Sequence, residues 1–250
     1  AAHLDVPYDG IVELPNGNFV VASAYWDNGA VQDAGAVTLI NGAGGFSGSV
    51  VTSANSLVGS FSNDYVGSHG VEALPNGSYV VRSALWNNLA AGKIEAGALT
   101  WGSGVTGITG VVSAANSLVG GSDLDRIGLE PLNVLSSGDY IAFSPLWDNG
   151  ALADAGAVTW GNGTTGTAGS ISSSNSVLGL AANQSSTMSF QAAPDGQRLV
   201  IGRDLSQIVT IVELLPRLIV EKSGSGSGVV ISSPAGINCG EECTQFFNSD

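Results

Sequence analysis

A segment of about 60 residues recurs along this chain, and the repetition restricts the possible folds more than any other feature. The copies share a Leu-Pro-Asn-Gly turn or a variant of it, an Ala-Asn-Ser-Leu-Val-Gly segment or a variant of it, and one tryptophan. These markers lie at residues 14–21, 54–59 and Trp26 in the first copy, at 74–81, 115–120 and Trp86 in the second, and at 135–142, 174–179 and Trp147 in the third. A repeated unit that cannot bury its apolar face alone stacks on its neighbours, so an array of similar units is predicted.

Each copy is predicted to contain four short β-strands. In the first copy these are residues 10–15, 18–26, 35–40 and 48–59, with an Asn-Gly turn between the first two. β-Branched and aromatic residues fill the strands, glycine marks the junctions, and no stretch has the period of a helix. Four antiparallel strands in a repeated unit are typical of a β-propeller blade.

The sequence therefore predicts an all-β protein: a β-propeller-like array of four-stranded antiparallel blades with a small C-terminal β module behind it. The repeat domain is predicted to cover residues 1–215 and the module residues 216–250. Complete blades are expected at about 6–60, 66–121 and 126–180, and a degenerate fourth at 188–214. The fourth copy has lost its tryptophan, as expected of a terminal repeat that caps an array.

Charge is sparse and acidic, with 7 basic and 21 acidic residues and a net charge of −14. Nucleic acid is not expected as a partner, because phosphate binding needs clustered Lys and Arg and the chain has no such cluster. The acidity also disfavours docking on anionic membranes, and no apolar run is long enough to span a bilayer. The chain begins without a signal peptide, which is expected of a mature or excised piece of a longer protein.

Two sets of residues recur at corresponding positions and are weak candidates for a site. Candidate ligand-binding residues are the tryptophans and the polar residues after them: Trp26, Asp27, Trp86, Asn87, Trp147 and Asp148. Candidate metal ligands are the acidic residues before each Ala-Gly-Ala segment: Asp33, Glu95 and Asp154. The structural alternative is favoured for both sets, because Asp and Asn stabilise turns and one tryptophan per repeat packs between blades. No metal site and no cofactor are predicted.

No catalytic residue is predicted, and the chain is expected not to be an enzyme. Ser68 and His69 lie near Asp64 in the sequence, but nothing supplies a nucleophile elbow or an oxyanion hole. The two cysteines, Cys239 and Cys243, have no further Cys or His near them that would complete a metal site. A short-range disulfide formed in an oxidising compartment is predicted instead.

Three short motifs resemble the FG-GAP repeat of integrin-α-type β-propellers, and the resemblance covers residues 5 to about 214. Residues 125–128, 79–86 and 96–101 match the opening, the second strand and the third strand of that repeat. FG-GAP loops between the first two strands hold calcium through several Asp and Asn residues. Here the loop is Leu-Pro-Asn-Gly without aspartate in the first two copies, so calcium is not favoured. The blades also resemble uncharacterised tandem repeats of large secreted bacterial proteins.

The tail, residues 218–247, is similar to a β repeat common at the end of bacterial surface and secreted proteins. In that module the Ser-Gly run at 223–228 is a hairpin turn between two strands, and this interpretation is preferred to a flexible linker. The chain stops before such a module would be complete.

Together these features predict a non-enzymatic extracellular or cell-surface protein with a structural or adhesive role, which presents loops or assembles with other copies. The expected partner is a protein or glycan at a cell surface, or the protein itself. One alternative is a lectin-like propeller that binds carbohydrate through its Trp and Asp/Asn loops. Another is a filament subunit whose blade edges pair between chains. With so few blades, the array is a four-bladed ring, a fragment or part of such a filament.

Overall fold

The protein is built almost entirely of short strands. The structure, a computed structural model, describes residues 9–44, 50–193, 198–214, 217–219 and 244–246. The strands are β1 (Asp9–Glu13), β2 (Phe19–Ser23), β3 (Ala36–Ile40), β4 (Ser56–Val58), β5 (Val71–Ala73), β6 (Tyr79–Ser83), β7 (Ala98–Gly102), β8 (Gly110–Val111), β9 (Ser117–Val119), β10 (Asn133–Val134), β11 (Tyr140–Ser144), β12 (Ala157–Gly161), β13 (Gly169–Ser170), β14 (Ser176–Leu178), β15 (Met188–Ala192), β16 (Arg198–Arg203), β17 (Ile208–Glu213), β18 (Arg217–Ile219) and β19 (Thr244–Phe246). One-turn 3₁₀ helices cover Leu89–Ala91, Gln184–Thr187 and Asp204–Ser206. The all-β prediction is confirmed.

Each of the three repeats folds into a four-stranded antiparallel sheet. The strand orders are β1–β2–β3–β4, β5–β6–β7–β9 and β10–β11–β12–β14. The Asn-Gly turn joins the first two strands of the first sheet, with the N–H of Leu14 donating to the carbonyl of Asn18 over 2.8 Å. Gly17 takes a left-handed conformation there (φ 80°), which glycine adopts without steric cost. The predicted four-stranded antiparallel blade is confirmed for these repeats.

The fourth predicted strand, residues 48–59 in the first copy, is not continuous, and this corrects the expectation from the sequence. In the second copy the corresponding stretch forms two strands, β8 and β9, with a turn between them. Asn116 holds this turn: its Oδ1 accepts the N–H of Ser113 over 2.9 Å and its Nδ2 donates to the carbonyl of Val111 over 3.0 Å. Asn55 and Asn175 make the same pair of bonds in the other repeats. An asparagine that satisfies two nearby backbone groups interrupts a strand.

The two-residue strands β8 and β13 join the sheet of the preceding repeat. β8 pairs in parallel with β4, and β13 pairs in the same way with β9. The N–H of Val112 then donates to the carbonyl of Val58 over 3.2 Å. Consecutive repeats are therefore joined through their backbones, and the fourth strands of the first two repeats are not sheet edges.

The corresponding edge of the third repeat, at β14, is protected by a side chain. Arg203 donates from Nη1 to the carbonyl of Leu178 over 2.8 Å. Leu178 pairs with Ala157 as Val58 pairs with Ala36, so the guanidinium occupies the place that a backbone N–H takes on the first sheet. A side chain thus satisfies a backbone carbonyl at this edge of the third sheet.

Two apolar cores lie between the sheets of consecutive repeats, because alternate residues of a strand point to opposite faces. The middle sheet is consequently covered on both sides. The first core includes Leu14, Val20, Val37 and Leu57 of the first repeat and Tyr79, Val81, Trp86 and Val119 of the second. The second core includes Leu74, Val80, Leu99 and Leu118 of the second repeat and Tyr140, Ala142, Trp147 and Ala157 of the third.

The outer face of the first sheet is not covered in this way. Phe19 and Val21 are half-buried, whereas their counterparts in the second repeat, Tyr79 and Val81, are completely buried. Ile11 is 68% exposed on the same face. The three repeats thus share one architecture but differ in how much of it lies under a neighbour.

The chain divides into two compact units. The first consists of Ala1–Ser189 and Gly202–Ile208 and contains the three repeats, and the second consists of Phe190–Ile201 and Val209–Asp250. Strands β15, β16 and β17 form a sheet in chain order, and β18 pairs antiparallel with β19. The predicted disulfide between Cys239 and Cys243 and the predicted hairpin turn at 223–228 lie outside the described residues.

Candidate functional site

Two of the three repeated tryptophans lie between repeats rather than on a ligand-accessible surface. Trp86 is 4% exposed and belongs to the first inter-repeat core, and Trp147 is buried in the second. Trp26 is half-buried and belongs to neither of the cores formed by the described residues. Neither Trp86 nor Trp147 offers the face of its ring to a ligand in this conformation.

The polar residue after each tryptophan holds the loop that follows. Oδ1 of Asp27 accepts the N–H of Asp33 over 2.8 Å, and Oδ1 of Asn87 accepts that of Glu95 over 3.0 Å. Asp148 and Asp154 form the same bond in the third repeat, over 2.9 Å. The residues that donate these three N–H groups, Asp33, Glu95 and Asp154, all have a left-handed backbone conformation, with φ of 51°, 46° and 49°. This is the turn chemistry that the sequence analysis favoured.

The same acidic residues connect their loop to the next repeat. The carbonyl of Asp33 accepts the N–H of Tyr65, and the carbonyl of Glu95 accepts that of Arg126, each over 3.1 Å. The Glu95 carboxylate also pairs with Arg126, with 2.6 Å between Oε2 and Nη2. Among the residues that the structure describes, no three His, Cys, Asp or Glu side chains converge in a way that could hold a metal ion.

Sequence reasoning missed a buried carboxylate at each of the first two junctions. Asp64 is completely buried, and its Oδ2 accepts the N–H groups of Ser60 and Phe61 over 2.9 Å each. Its Oδ1 accepts both the backbone N–H and the side-chain amide of Asn87, over 3.1 and 2.9 Å. One carboxylate therefore ties the connecting segment to the loop of the next repeat.

The second junction repeats this arrangement with Asp125. Its Oδ2 accepts the N–H groups of Gly121 and Ser122 over 2.8 Å each, and its Oδ1 accepts that of Asp148 over 3.0 Å. Both aspartates lie the same number of residues after the glycine that follows the fourth strand of their repeat. This shared spacing is the sequence signal that could have identified them. At the third junction Gln184 stands at this position, and its Nε2 donates to Oγ of Ser206 over 2.7 Å. An amide can donate a hydrogen bond, which an ionised carboxylate cannot. Glutamine therefore suits the last junction, where the following copy has no Trp-Asp/Asn motif whose N–H groups a carboxylate could accept.

Burial raises the pKa of Asp64 above its ordinary value of 3.8 and outweighs the lowering effect of the hydrogen bonds from Asn87, Phe61 and Ser60. Burial raises the pKa of Asp125 in the same way. A carboxyl group whose pKa is raised by folding binds its proton more tightly in the folded chain than in the unfolded chain. Its contribution to stability is therefore complete below about pH 3.8 and is lost as the pH rises through the folded-state pKa.

Replacing Asp64 by alanine should lower the free energy of unfolding by about 3 kcal/mol, because it leaves several buried N–H groups without an acceptor. Urea unfolding followed by tryptophan fluorescence measures this loss. The loss should be larger at about pH 4 than at about pH 7, given the direction of the pKa shift.

The matched control is Asp27→Ala, because exposed Asp27 accepts a single N–H that water can satisfy instead. It should cost less than about 1 kcal/mol. Equal losses for the two variants, or a loss for Asp64→Ala that grows with pH, would contradict this account of the junction.

A cleft of about 260 Å³ opens beside the first junction. Its lining includes Phe61, Asn63 and Tyr65 from the connecting segment and Ile94 and Glu95 from the loop of the second repeat. In the part of the chain that the structure describes, no helix is long and apolar enough to cross a membrane.

Three consecutive segments of the chain match the family model of a repeat of unknown function (DUF5650). The matches cover residues 13–68, 73–129 and 134–187, which together are more than half of the chain. They confirm the tandem repetition that the sequence markers predict. Each match begins at the last residue of the first strand of a sheet and includes the other three strands and the junction that follows. A comparison with curated proteins finds no match.

Proposed function

Because this chain belongs to the family of DUF5650 repeats, whose function is unknown, we propose from its architecture that it is a non-enzymatic structural or adhesive protein of the cell surface or extracellular space. In this proposal the repeats are a scaffold of FG-GAP-like blades. Variable loops on the scaffold contact a protein or a glycan on another surface.

One observation carries the proposal: the recurring polar residues are used to hold repeats to one another. Asp64 and Asp125 bind the loop of the next repeat, and β8 and β13 extend the preceding sheet. A catalytic site would need polar groups directed into a shared cavity, with a base or nucleophile in reach of a substrate. Here the repeated polar residues hold neighbouring repeats rigidly together, as a scaffold requires.

The extracellular part of the proposal is supported by the composition and by the resemblance to secreted repeats. The chain combines a strong acidic excess with many Gly, Ser and Asn residues and with only two cysteines. An acidic surface remains soluble and does not adhere to nucleic acids through phosphate contacts.

An antibody against the native chain should label intact cells that produce it, or should detect the protein in their medium. Beads coated with the purified chain should bind to such cells or to extracellular matrix, and beads coated with an unrelated acidic β-protein should not. Labelling that requires permeabilised cells, together with no bead adhesion, would overturn the proposal.

A further inference from the structure

Three repeats with one architecture allow an internal comparison of exposed positions. A residue that departs from its counterparts at an exposed site is not required by the shared fold. At the first junction, three such departures are aromatic: Tyr25, Phe61 and Tyr65. The counterparts are Leu85, Ser122 and Arg126 at the second junction and Leu146, Ala181 and Ser185 at the third.

These three aromatic rings lie together in space and are accessible. Tyr25 and Phe61 are 47% and 46% exposed, and Tyr65 is half-buried. The rings of Tyr25 and Tyr65 meet edge to face, with 5.8 Å between their centroids. The hydroxyl of Tyr65 donates to Oδ1 of Asn63 over 3.0 Å, which holds this ring in place. Exposed aromatic side chains in a group are characteristic of binding surfaces.

An insertion lies at the same junction. The loop between tryptophan and Gly97 in the second repeat is two residues longer than the corresponding loops of the first and third repeats. It contains the turn Leu89–Ala91 and continues to Ile94, which is exposed and lines the cleft together with Phe61 and Tyr65. Insertions confined to one repeat often build its binding face. The aromatic departures and the insertion are independent observations. Phe61 and Tyr65 line the same cleft as Ile94 of the insertion, and Tyr25 packs against Tyr65.

The polar groups of the cleft indicate the class of ligand. Ser62, Asn63 and Glu95, which carry a hydroxyl, an amide and a carboxylate, line the cleft with Phe61 and Tyr65. The Glu95 carboxylate also pairs with Arg126. Flat apolar rings suit the C–H faces of a pyranose, and adjacent hydroxyl, amide and carboxylate groups suit its hydroxyls. The net charge of −14 opposes anionic sugars. We propose that this cleft binds an uncharged glycan.

This glycan site rests on the proposed adhesive function and specifies how adhesion would occur. It differs from a site at the tryptophans, because Trp86 and Trp147 are buried in the inter-repeat cores. Adhesion would then reside in a single junction, and the other repeats would position it.

The test replaces the aromatic residues with those of the second junction, as the triple variant Tyr25→Leu, Phe61→Ser, Tyr65→Arg. The backbone accepts these residues: Tyr65 and Arg126 have φ of 44° and 45°, so arginine already occupies this conformation in the sister repeat. The matched control is Ser122→Phe, which places one aromatic residue at the second junction and leaves the first unchanged. Thermal unfolding of each variant establishes that the fold is retained.

Arrayed neutral oligosaccharides of glucose, galactose, mannose and N-acetylglucosamine serve as the probe. We expect the wild type and Ser122→Phe to bind the same oligosaccharides, and the triple variant to bind at least tenfold more weakly. Absence of binding by the wild type, or equal binding by the folded triple variant, overturns the glycan site. Beads that adhere equally with wild-type and triple-variant protein show that the adhesive function stands while the glycan site fails.

Discussion

Replacing Gly97 with alanine should lower the free energy of unfolding by at least about 4 kcal/mol. Gly97 has φ of 76°, and a Cβ built on it would lie 2.1 Å from the backbone nitrogen of Ile127. The added carbon cannot be accommodated by rotating a side chain, because the clash is with backbone. The junction would have to separate, and the bond from the N–H of Ile127 to the carbonyl of Ala96 would be lost. Urea unfolding followed by circular dichroism measures the effect.

Gly92→Ala is the matched control for this substitution. Gly92 has a similar φ of 67°, but nothing lies within 4 Å of a Cβ at that position. It therefore reports the conformational strain alone, which is expected to cost about 1 kcal/mol. Similar losses for the two variants would show that the close approach of the two repeats contributes nothing to stability.

Trp86→Ala should cost about 4 kcal/mol, because it opens a large cavity in the core between the first two repeats. Trp86 lies in the same core as Leu14, Val20 and Tyr79, so the loss weakens both repeats together. The midpoint of urea unfolding measures the change. Phenylalanine at this position should restore much of the stability, since the indole N–H has no hydrogen-bond partner among the described residues.

Trp26→Ala is the matched control, since Trp26 has the same position in its own repeat but is only half-buried. Its removal should cost about 1–2 kcal/mol, in proportion to the smaller area that it buries. If the two tryptophan variants lose equal stability, the tryptophans act within their own repeats and not through the contact between repeats.

These two substitutions test the same physical idea, that the junctions rather than the isolated sheets hold the array together. A single sheet of short strands has little apolar area of its own to bury. Stability in such an array is the sum of what each unit contributes and what each interface adds. Among the described residues, the middle repeat has two such interfaces and the first repeat has one.

Local patterns were sufficient to predict much of the fold. The Asn-Gly turn before β2, the β-branched and aromatic residues of β6 and the loss of markers in the fourth copy are all visible in short stretches of sequence. The turn role of Asp27 and Asp33 was also predictable, because Asp and Asn bond to nearby backbone groups wherever they occur in such loops.

The candidate glycan site was less accessible to sequence reasoning. A comparison of the copies can identify Tyr25 and Phe61 as departures, but these residues are far apart in the chain. Only the fold brings Tyr25 against Tyr65 and places Ile94 of the longer loop in the same cleft as Tyr65. The tryptophans form the more obvious pattern in the sequence, because an identical residue in every copy is a stronger signal than an aromatic residue in one copy.

By itself, the sequence determined the repeat, its period, its first three strands and the turn between the first two, since each depends on contacts between residues close in the chain. The tertiary structure decided where those strands pair. Residues 110–119 have the composition of one strand, yet β8 joins the preceding sheet and β9 remains in its own. It also decided that Asp64 and Asp125 are buried connectors rather than surface charges. Both outcomes depend on contacts between neighbouring repeats, and the sequence pattern within a single repeat does not specify those contacts.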